Sequence, residues 1–316
     1  MSPSSDKAVI GIRNLTKYYG KARGIIEVDL EVKKGEVFGF LGPNGAGKST
    51  TIRTILDYIR PTSGSAVVNG MDPQKEGAKV RRSVGYLPSD FGTYHNMTAR
   101  DYLHTLLTMM GHKGPDRIEE LSERLQLDLK RRIKDFSRGN RQKVGLVSAF
   151  MHIPDLTILD EPTSGLDPLM QQEFYKIVLE EKAAGRTVFL SSHILAEVEA
   201  ICDRVGIIKE GRLIVVEDIK KFKQKTGKVM QVKFEEPVSP DQFTSLDGVF
   251  QVEVVSERQL KITITGVVDP VIKVLSKHTV KDLDYEDLSL ESMFLKYYEK
   301  EGTVDRRGKI IRGVEA

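Results

Sequence analysis

The stretch "GPNGAGKST", Gly42 to Thr50, decides how the rest of the chain is read. It fits the phosphate-loop pattern through Gly42, Gly47, Lys48 and Ser49. Gly45 and Gly47 let the backbone curl so that successive amides face one anion. Lys48 adds a point charge for the outer phosphates, and the Ser49 hydroxyl is offered to Mg2+. The flanks supply the required context. "EVFGFLG" reads as a buried strand entering the loop, and Ile52, Ile55, Leu56 and Ile59 recur behind it at helical spacing.

Three further stretches carry chemistry. "LTILDEPTSGLDP" is a hydrophobic strand ending in Asp160, a carboxylate suited to sit beside a metal, with Glu161 next to it and able to polarise a water. His193 follows the strand "TVFLSS" at the carboxyl end where parallel sheets present ligands. "FSRGNRQKVG", from Phe136, opens a helix with a serine and a glycine, a second place to hold an anion on backbone amides. Two phosphate cradles in one chain, with Arg138 inside the second, call for an explanation.

Composition narrows the class. The 316 residues suffice for one large domain and a small one. Charged residues make up 29% and hydrophobic ones 40%, and the net charge of +3 is too balanced for a DNA-binding surface. "MSPSSDKAVIG" lacks the apolar centre of a signal peptide. "VGLVSAFM" is far short of the ~20 residues of a membrane helix. The single cysteine, Cys202, fits a reducing compartment and the apolar face of a helix.

Along the chain, "IIEVDLEV" alternates Ile26, Val28, Leu30 and Val32 against Glu27, Asp29 and Glu31, which predicts a strand with one buried face. "PTSGSAVVNG" reads as a turn and strand, and "SVGYLP" as a strand stopped by Pro88. Helices begin near residue 91. Thr98 and Asp101 form a start signal before Leu103, Leu106, Leu107 and Met110, with Met109–Met110 expected as core filler. Ile118, Leu121 and Leu125 mark a second helix. Strand–helix alternation then returns, with helices near 169–182 and from about Ile194, and the hairpin "GIIKEGRLIVV". The basic linker "KKFKQKTGK" precedes "MQVKF", "FQVEVV" and "LKITI", all of period two. Asp269–Pro270 starts a helix, and a last one spans Leu290 to Glu299.

In this order, "GPNGAGKST", "FSRGNRQKVG", "LDEPTSGLD" and "SSH" resemble the Walker A, signature, Walker B with D-loop, and H-loop set of the ATP-binding cassette (ABC) family, over roughly residues 8–220. The resemblance implies an α/β P-loop NTPase fold: a RecA-like parallel sheet core, an N-terminal antiparallel β-layer and a helical subdomain. The cassette would occupy 1–222, with the helical subdomain about 91–150. A small, mostly β C-terminal accessory domain would span 229–300, before a flexible tail, 301–316.

The implied cofactors are ATP and Mg2+. Gly42, Pro43, Asn44, Gly45, Ala46, Gly47, Lys48, Ser49 and Thr50 would hold the phosphates, and Tyr19 resembles the aromatic that stacks on adenine. Ser49 and Asp160 would hold the metal, and Glu161, His193 and Lys48 would carry hydrolysis. In this family the signature of one subunit closes over the ATP bound by its twin, which accounts for two cradles. Ser137, Gly139 and Asn140 would then face the opposite γ-phosphate, and Asp167 would lie at the dimer seam. Tyr18 and Tyr19 are equally suited to packing the β-layer.

Three positions depart from the family pattern. Arg138 and Asn140 replace a Gly and a Gln of the signature, and Arg138 either stays in solvent or lends charge to the phosphate. Ser89, in "GYLPSD", stands where a metal-touching Gln is usual, so a contact with Mg2+ would run through water.

"GYLPSD" and "LSLESMFLKYYEK" resemble ATPase subunits of antibiotic, drug and lipid exporters. The implied partners are an integral-membrane permease on another chain and a second ATP-binding subunit, an identical copy by preference. The protein would then lie at the cytoplasmic face of the membrane. "FGTYHNMTARDYL" is the expected permease contact, with core packing the other use of its aromatics. The β appendage would stabilise the dimer, with ligand sensing or bracing of the permease as alternatives. An importer ATPase, or a soluble ABC ATPase on ribosomes or DNA, is the competing reading. A small-molecule kinase or GTPase explains neither the signature helix nor the paired Asp160–Glu161.

Overall fold

The computed structural model describes residues 8–90, 96–114, 116–221 and 227–287. The helix expected over Leu290–Glu299, the tail 301–316, the first five residues of "FGTYHNMTARDYL" and the middle of the basic linker lie outside the described residues. The chain divides into two compact units, Met1–Glu217 and Asp218–Ala316.

In the first unit β3 (Val37–Leu41) is buried at every position, as a strand covered on both faces must be. It is the fourth strand of a six-stranded sheet ordered β5-β6-β7-β3-β8-β9. The others are β5 (Val84–Leu87), β6 (Leu156–Asp160), β7 (Thr187–Ser192), β8 (Arg204–Lys209) and β9 (Arg212–Asp218). β5, β6, β7, β3 and β8 pair in parallel. An antiparallel layer of β1 (Ala8–Tyr19), β2 (Ala22–Lys33) and β4 (Ser63–Val68) packs against this sheet, in the order β2-β1-β4. Within the core Phe189 stacks on Phe38 at 5.8 Å between ring centroids and meets Phe40 at 5.6 Å.

β2 corrects one expected face. Ile25 is fully buried and Ile26 only half-buried. The reason is an irregularity at Glu27, whose φ is +48° and whose amide is taken by Thr16 Oγ1 at 2.9 Å. The extra residue flips the alternation there.

α1 (Lys48–Ile55) follows the phosphate loop. Ile59 falls outside it, contrary to expectation, because Asp57 turns the chain at φ +57°. α2 (Pro73–Ser83) was not anticipated. Asp72 caps it by accepting from the Gln74 amide at 2.9 Å, and Pro73 occupies its first turn. α3 (Ala99–Met110) starts at Thr98, whose Oγ1 accepts from the Asp101 amide at 3.1 Å. Met109, expected in the core, is 66% exposed, since its position faces away from the Leu103–Leu107 stripe.

α4 (Ile118–Arg124), a 3-10 turn at Ile133–Asp135, and α5 (Arg138–Phe150) complete the helical part. α6 (Pro168–Ala183) and α7 (Leu195–Ile201) flank the sheet. The contact of α4 with α6 is ionic. Arg117 pairs with Glu181, and Arg124 pairs with Glu173 at 2.7 Å and with Glu180 at 2.5 Å. The Arg124 hydrogen bond holds the Glu173 carboxyl below its ordinary range.

The second unit carries an antiparallel four-stranded sheet, ordered β11-β12-β10-β13. Its strands are β10 (Lys228–Phe234), β11 (Val249–Ser256), β12 (Gln259–Ile264) and β13 (Val280–Asp287). Its core includes Met230, Val232, Phe234, Leu260 and Ile262 from the sheet, Phe243 from α8 (Asp241–Thr244), and Val271 from α9 (Asp269–Leu275). β13 and α8 were not foreseen.

Phe189→Ala removes the ring that joins Phe38 to Phe40. It is expected to cost about 3–5 kcal/mol of unfolding free energy, read as a lowered denaturation midpoint.

Candidate functional site

Parallel pairing sets the site. Leu41 is in register with Ser192, and Asp160 with Ser191, so the loops after β3, β6 and β7 leave the same sheet edge. The Gly42 amide donates to the Ser192 carbonyl at 3.1 Å, which starts the phosphate loop at that edge. A Cβ at Gly42 would come within 2.4 Å of the Ile208 carbonyl oxygen. Only glycine fits there. Gly45 and Gly47 then take φ of +77° and +112°, the left-handed turn that aims successive amides inward.

Beside this loop lies a cavity of about 450 Å³, lined by Tyr19, Arg23, Gly24, Asn44, Gly45, Gly47, Lys48, Ser49, Thr50, Ser89 and Glu161. Ala46 turns instead into the core, 3% exposed, and Gly42 and Pro43 contribute carbonyls. Lys48 Nζ donates to the Gly42 carbonyl at 2.6 Å and the Pro43 carbonyl at 3.1 Å, and pairs with Glu161 Oε1 at 3.1 Å. Glu161 Oε2 meets His193 Nδ1 at 2.6 Å. Lysine, glutamate and histidine thus form one continuous polar chain across the cavity floor.

Glu161 adopts φ +54°, a region that non-glycine side chains seldom occupy. Its conformation is held from two sides. Ser191 takes its amide through both carbonyl and hydroxyl at 3.2 Å. Gln142 of α5, 6% exposed, donates to the carbonyls of Glu161 at 3.2 Å and Pro162 at 2.9 Å. Asp160, fully buried, takes the Ser191 hydroxyl on Oδ1 at 2.5 Å, and its Oδ2 has no hydrogen-bond partner. A buried carboxylate oxygen without a donor suits a cation.

Tyr19 and Tyr18 are 47% and 39% exposed at the end of β1, so neither belongs to the core of the β-layer. Lys17 Nζ lies 5.4 Å from the Tyr19 ring centroid, on the cavity rim.

Ser137, Gly139, Asn140 and Asp167 do not line this cavity. Ser137 Oγ accepts from the Asn140 amide at 3.3 Å and caps α5. Asp167 Oδ1 accepts from the Met170 amide at 3.0 Å and caps α6. Arg138 donates from Nη2 to Ser164 Oγ at 2.8 Å, so its side chain leans along the loop after β6. A Cβ at Gly139 would meet the Gly165 carbonyl oxygen at 2.5 Å. The turn that opens α5 is therefore seated on the loop that follows Glu161.

Sequence reading missed Arg23, Gly24, Gln142, Ser191 and Ser192. Arg23 and Gly24 are far from the motifs along the chain, and Gln142 acts on backbone carbonyls, which leave no residue pattern.

A phosphate loop at the end of a parallel strand, with a buried aspartate at the same end of a strand one place beyond its neighbour, defines a P-loop nucleoside triphosphatase. The ABC transporter family model matches residues 25–164. The bacitracin transport ATP-binding protein BcrA of Bacillus licheniformis is 40% identical over 209 residues, covering 65% of this chain and 68% of BcrA. A solved ATP-binding subunit of an ABC transporter is 31% identical, with a TM-score of 0.64 over 68% of this chain and 92% of its own. The dimeric cassette MJ0796 shares the fold at 23% identity and a TM-score of 0.61, over 66% and 98%. The chain belongs to the ABC transporter family, as an ATP-binding, ATP-hydrolysing subunit.

Gly139→Ala would push the start of α5 off Gly165. ATPase activity is expected to fall about 10²-fold, as misplacement by an ångström does. ATP binding by the phosphate loop of the same chain should be unchanged in a nucleotide-binding titration.

Proposed function

We propose that this chain is the motor subunit of a multicomponent exporter, which pairs head to tail around two ATP molecules and drives a separate membrane permease. One observation carries the reading: the Ser137–Asn140 turn, built to face an anion, is absent from the lining of the chain's own phosphate cavity. A second copy can bring that turn to the cavity, as the dimeric MJ0796 cassette illustrates. BcrA is named for the transport of bacitracin, an antibiotic, which suits a subunit that removes such a compound.

The residues fit Mg2+: Asp160 supplies the unpartnered Oδ2, and Ser49 the hydroxyl at the cavity wall. Ser89 lines the same cavity and would reach the ion through water. When bound, Mg2+ neutralises charge on the outer phosphates. Tyr19 offers its exposed ring to the adenine. The entering phosphates compete with Glu161 for Lys48, and the carboxylate so released orients the attacking water. His193 keeps that carboxylate in place through Oε2. Asp167, at the cap of α6, lies on the loop that would meet the twin subunit.

Among the described residues no helix is long and apolar enough to cross a membrane. The permease would grip the stretch "FGTYHNMTARDYL", whose Tyr102 lines a groove of about 590 Å³ with Tyr86, Pro88, Leu106 and Met110. Pro88 lines that groove and Ser89, the next residue, lines the nucleotide cavity; the subunit would work at the cytoplasmic membrane face. The second unit is assigned to dimer stabilisation. Removing residues 229–316 should then weaken self-association by analytical ultracentrifugation; an unchanged dimer would refute that assignment.

Glu161→Gln is expected to lower ATP turnover by about 10²–10⁴-fold while ATP binding persists. Dimers should accumulate in ATP, visible by size-exclusion chromatography. Undiminished turnover would remove Glu161 from the role, and a strictly monomeric Glu161→Gln chain in ATP would overturn the head-to-tail pairing.

A further inference from the structure

Glu197 is a buried carboxylate that the hydrolytic set above does not use. It lies in the first turn of α7 and is 1% exposed. Ser192 Oγ donates to its Oε2 at 2.5 Å, and the same Oγ accepts the Ile194 amide at 2.9 Å. Ser192 also fixes the start of the phosphate loop, since its carbonyl takes the Gly42 amide at 3.1 Å. One serine therefore anchors both the Lys48 loop and the turn that carries His193.

The Ser192 hydroxyl has a single proton and two candidate acceptors. Glu197 Oε2 is at 2.5 Å and the Ile194 carbonyl at 3.4 Å. A charged acceptor makes the shorter and stronger bond, so an ionised Glu197 commits the proton to itself. The hydroxyl lone pair then stays directed at the Ile194 amide. With a neutral Glu197 that preference weakens.

The surroundings put this choice near neutral pH. Burial pushes the Glu197 carboxyl up to about 7; the Glu161 charge adds to the rise, while the Ser192 and Thr163 hydroxyls and His193 oppose it. Tyr175 of α6 and Cys202 at the end of α7 are the other titratable groups that feel its charge. None of these neighbours is an arginine or lysine that would hold Glu197 ionised.

We infer that Glu197 is a positioning residue for ATP hydrolysis, whose carboxylate locks Ser192 and thereby the turn that sets His193 against Glu161. Uptake of a proton releases the lock and slows turnover. This rests on the reading of Glu161 and His193 as the hydrolytic pair.

The test is the pH profile of kcat at saturating MgATP, for the full chain and for Glu197→Gln, an isosteric neutral mimic of the protonated acid. Wild-type kcat is expected to decline as pH falls through about 7. Glu197→Gln should sit roughly 10-fold below wild type at slightly alkaline pH, with a flat profile and unchanged ATP affinity. Ser192→Ala, which keeps the carboxylate but removes the relay, should show the same loss and the same flattening; it decides the matter should Glu197→Gln unfold. A merely structural Glu197 would lower kcat and leave the acid limb in place, and that result overturns the inference. So does wild-type turnover in Glu197→Gln. Full activity of Glu161→Gln would instead sink the underlying hydrolytic reading, so the two failures are told apart.

Discussion

The register between β3, β7 and β6 is the constraint from which the site follows. Leu41 opposite Ser192 and Ser191 opposite Asp160 bring three strand ends to one edge. The loops that carry Lys48, Glu161 and His193 leave from that edge. A slip of one residue would turn Asp160 to the other face of the sheet and break the Gly42–Ser192 bond. The packing that holds the register is apolar and distant from the chemistry, with Phe38, Phe40 and Phe189 in the shared core. The sheet thus supplies position, and the loops supply reactivity.

Above the sheet, polar groups are satisfied mainly by one another. Ser191 serves both Asp160 and the Glu161 backbone, Ser192 serves Glu197 and Ile194, and Gln142 serves the carbonyls of Glu161 and Pro162. Such a network has low tolerance for a missing member, because each buried group left over costs its full desolvation. The left-handed Glu161 is stable only within this frame. Its backbone strain is offset by bonds from two directions, one of them from the helix that begins at the signature turn.

The motifs were legible because phosphate chemistry demands particular residues at fixed spacing. The left-handed turn through Gly45 and Gly47 ahead of Lys48 could be anticipated from that demand alone, as could the strand ending at Asp160. The helix start at Thr98 was legible for the same reason, since a cap needs a hydroxyl at one position. Less visible were features set by the backbone. The irregularity at Glu27 turned Ile25 inward, with a glutamate rather than a glycine at the left-handed position itself. α2 has few apolar residues, so its periodicity is faint, although Asp72–Pro73 marked its start. Met109 looked like core because it adjoins Met110, but neighbours along a helix point about a hundred degrees apart. Ser192 and Glu197 acquire their relation only when the end of β7 and the first turn of α7 come together.

The ionic contact between α4 and α6 has a consequence for mechanics. Where two elements meet through leucines, sliding one past the other exposes oil to water. Arg117 and Arg124 face Glu173, Glu180 and Glu181 on α6, and both also pair with Glu120 of α4, so each arginine has another partner within reach. Such a joint can shift by trading partners in steps, with little penalty at each, and dissolved electrolyte acts as its lubricant. The aromatic interior between the sheets has no comparable freedom, and so the molecule pairs a stiff frame with a bearing.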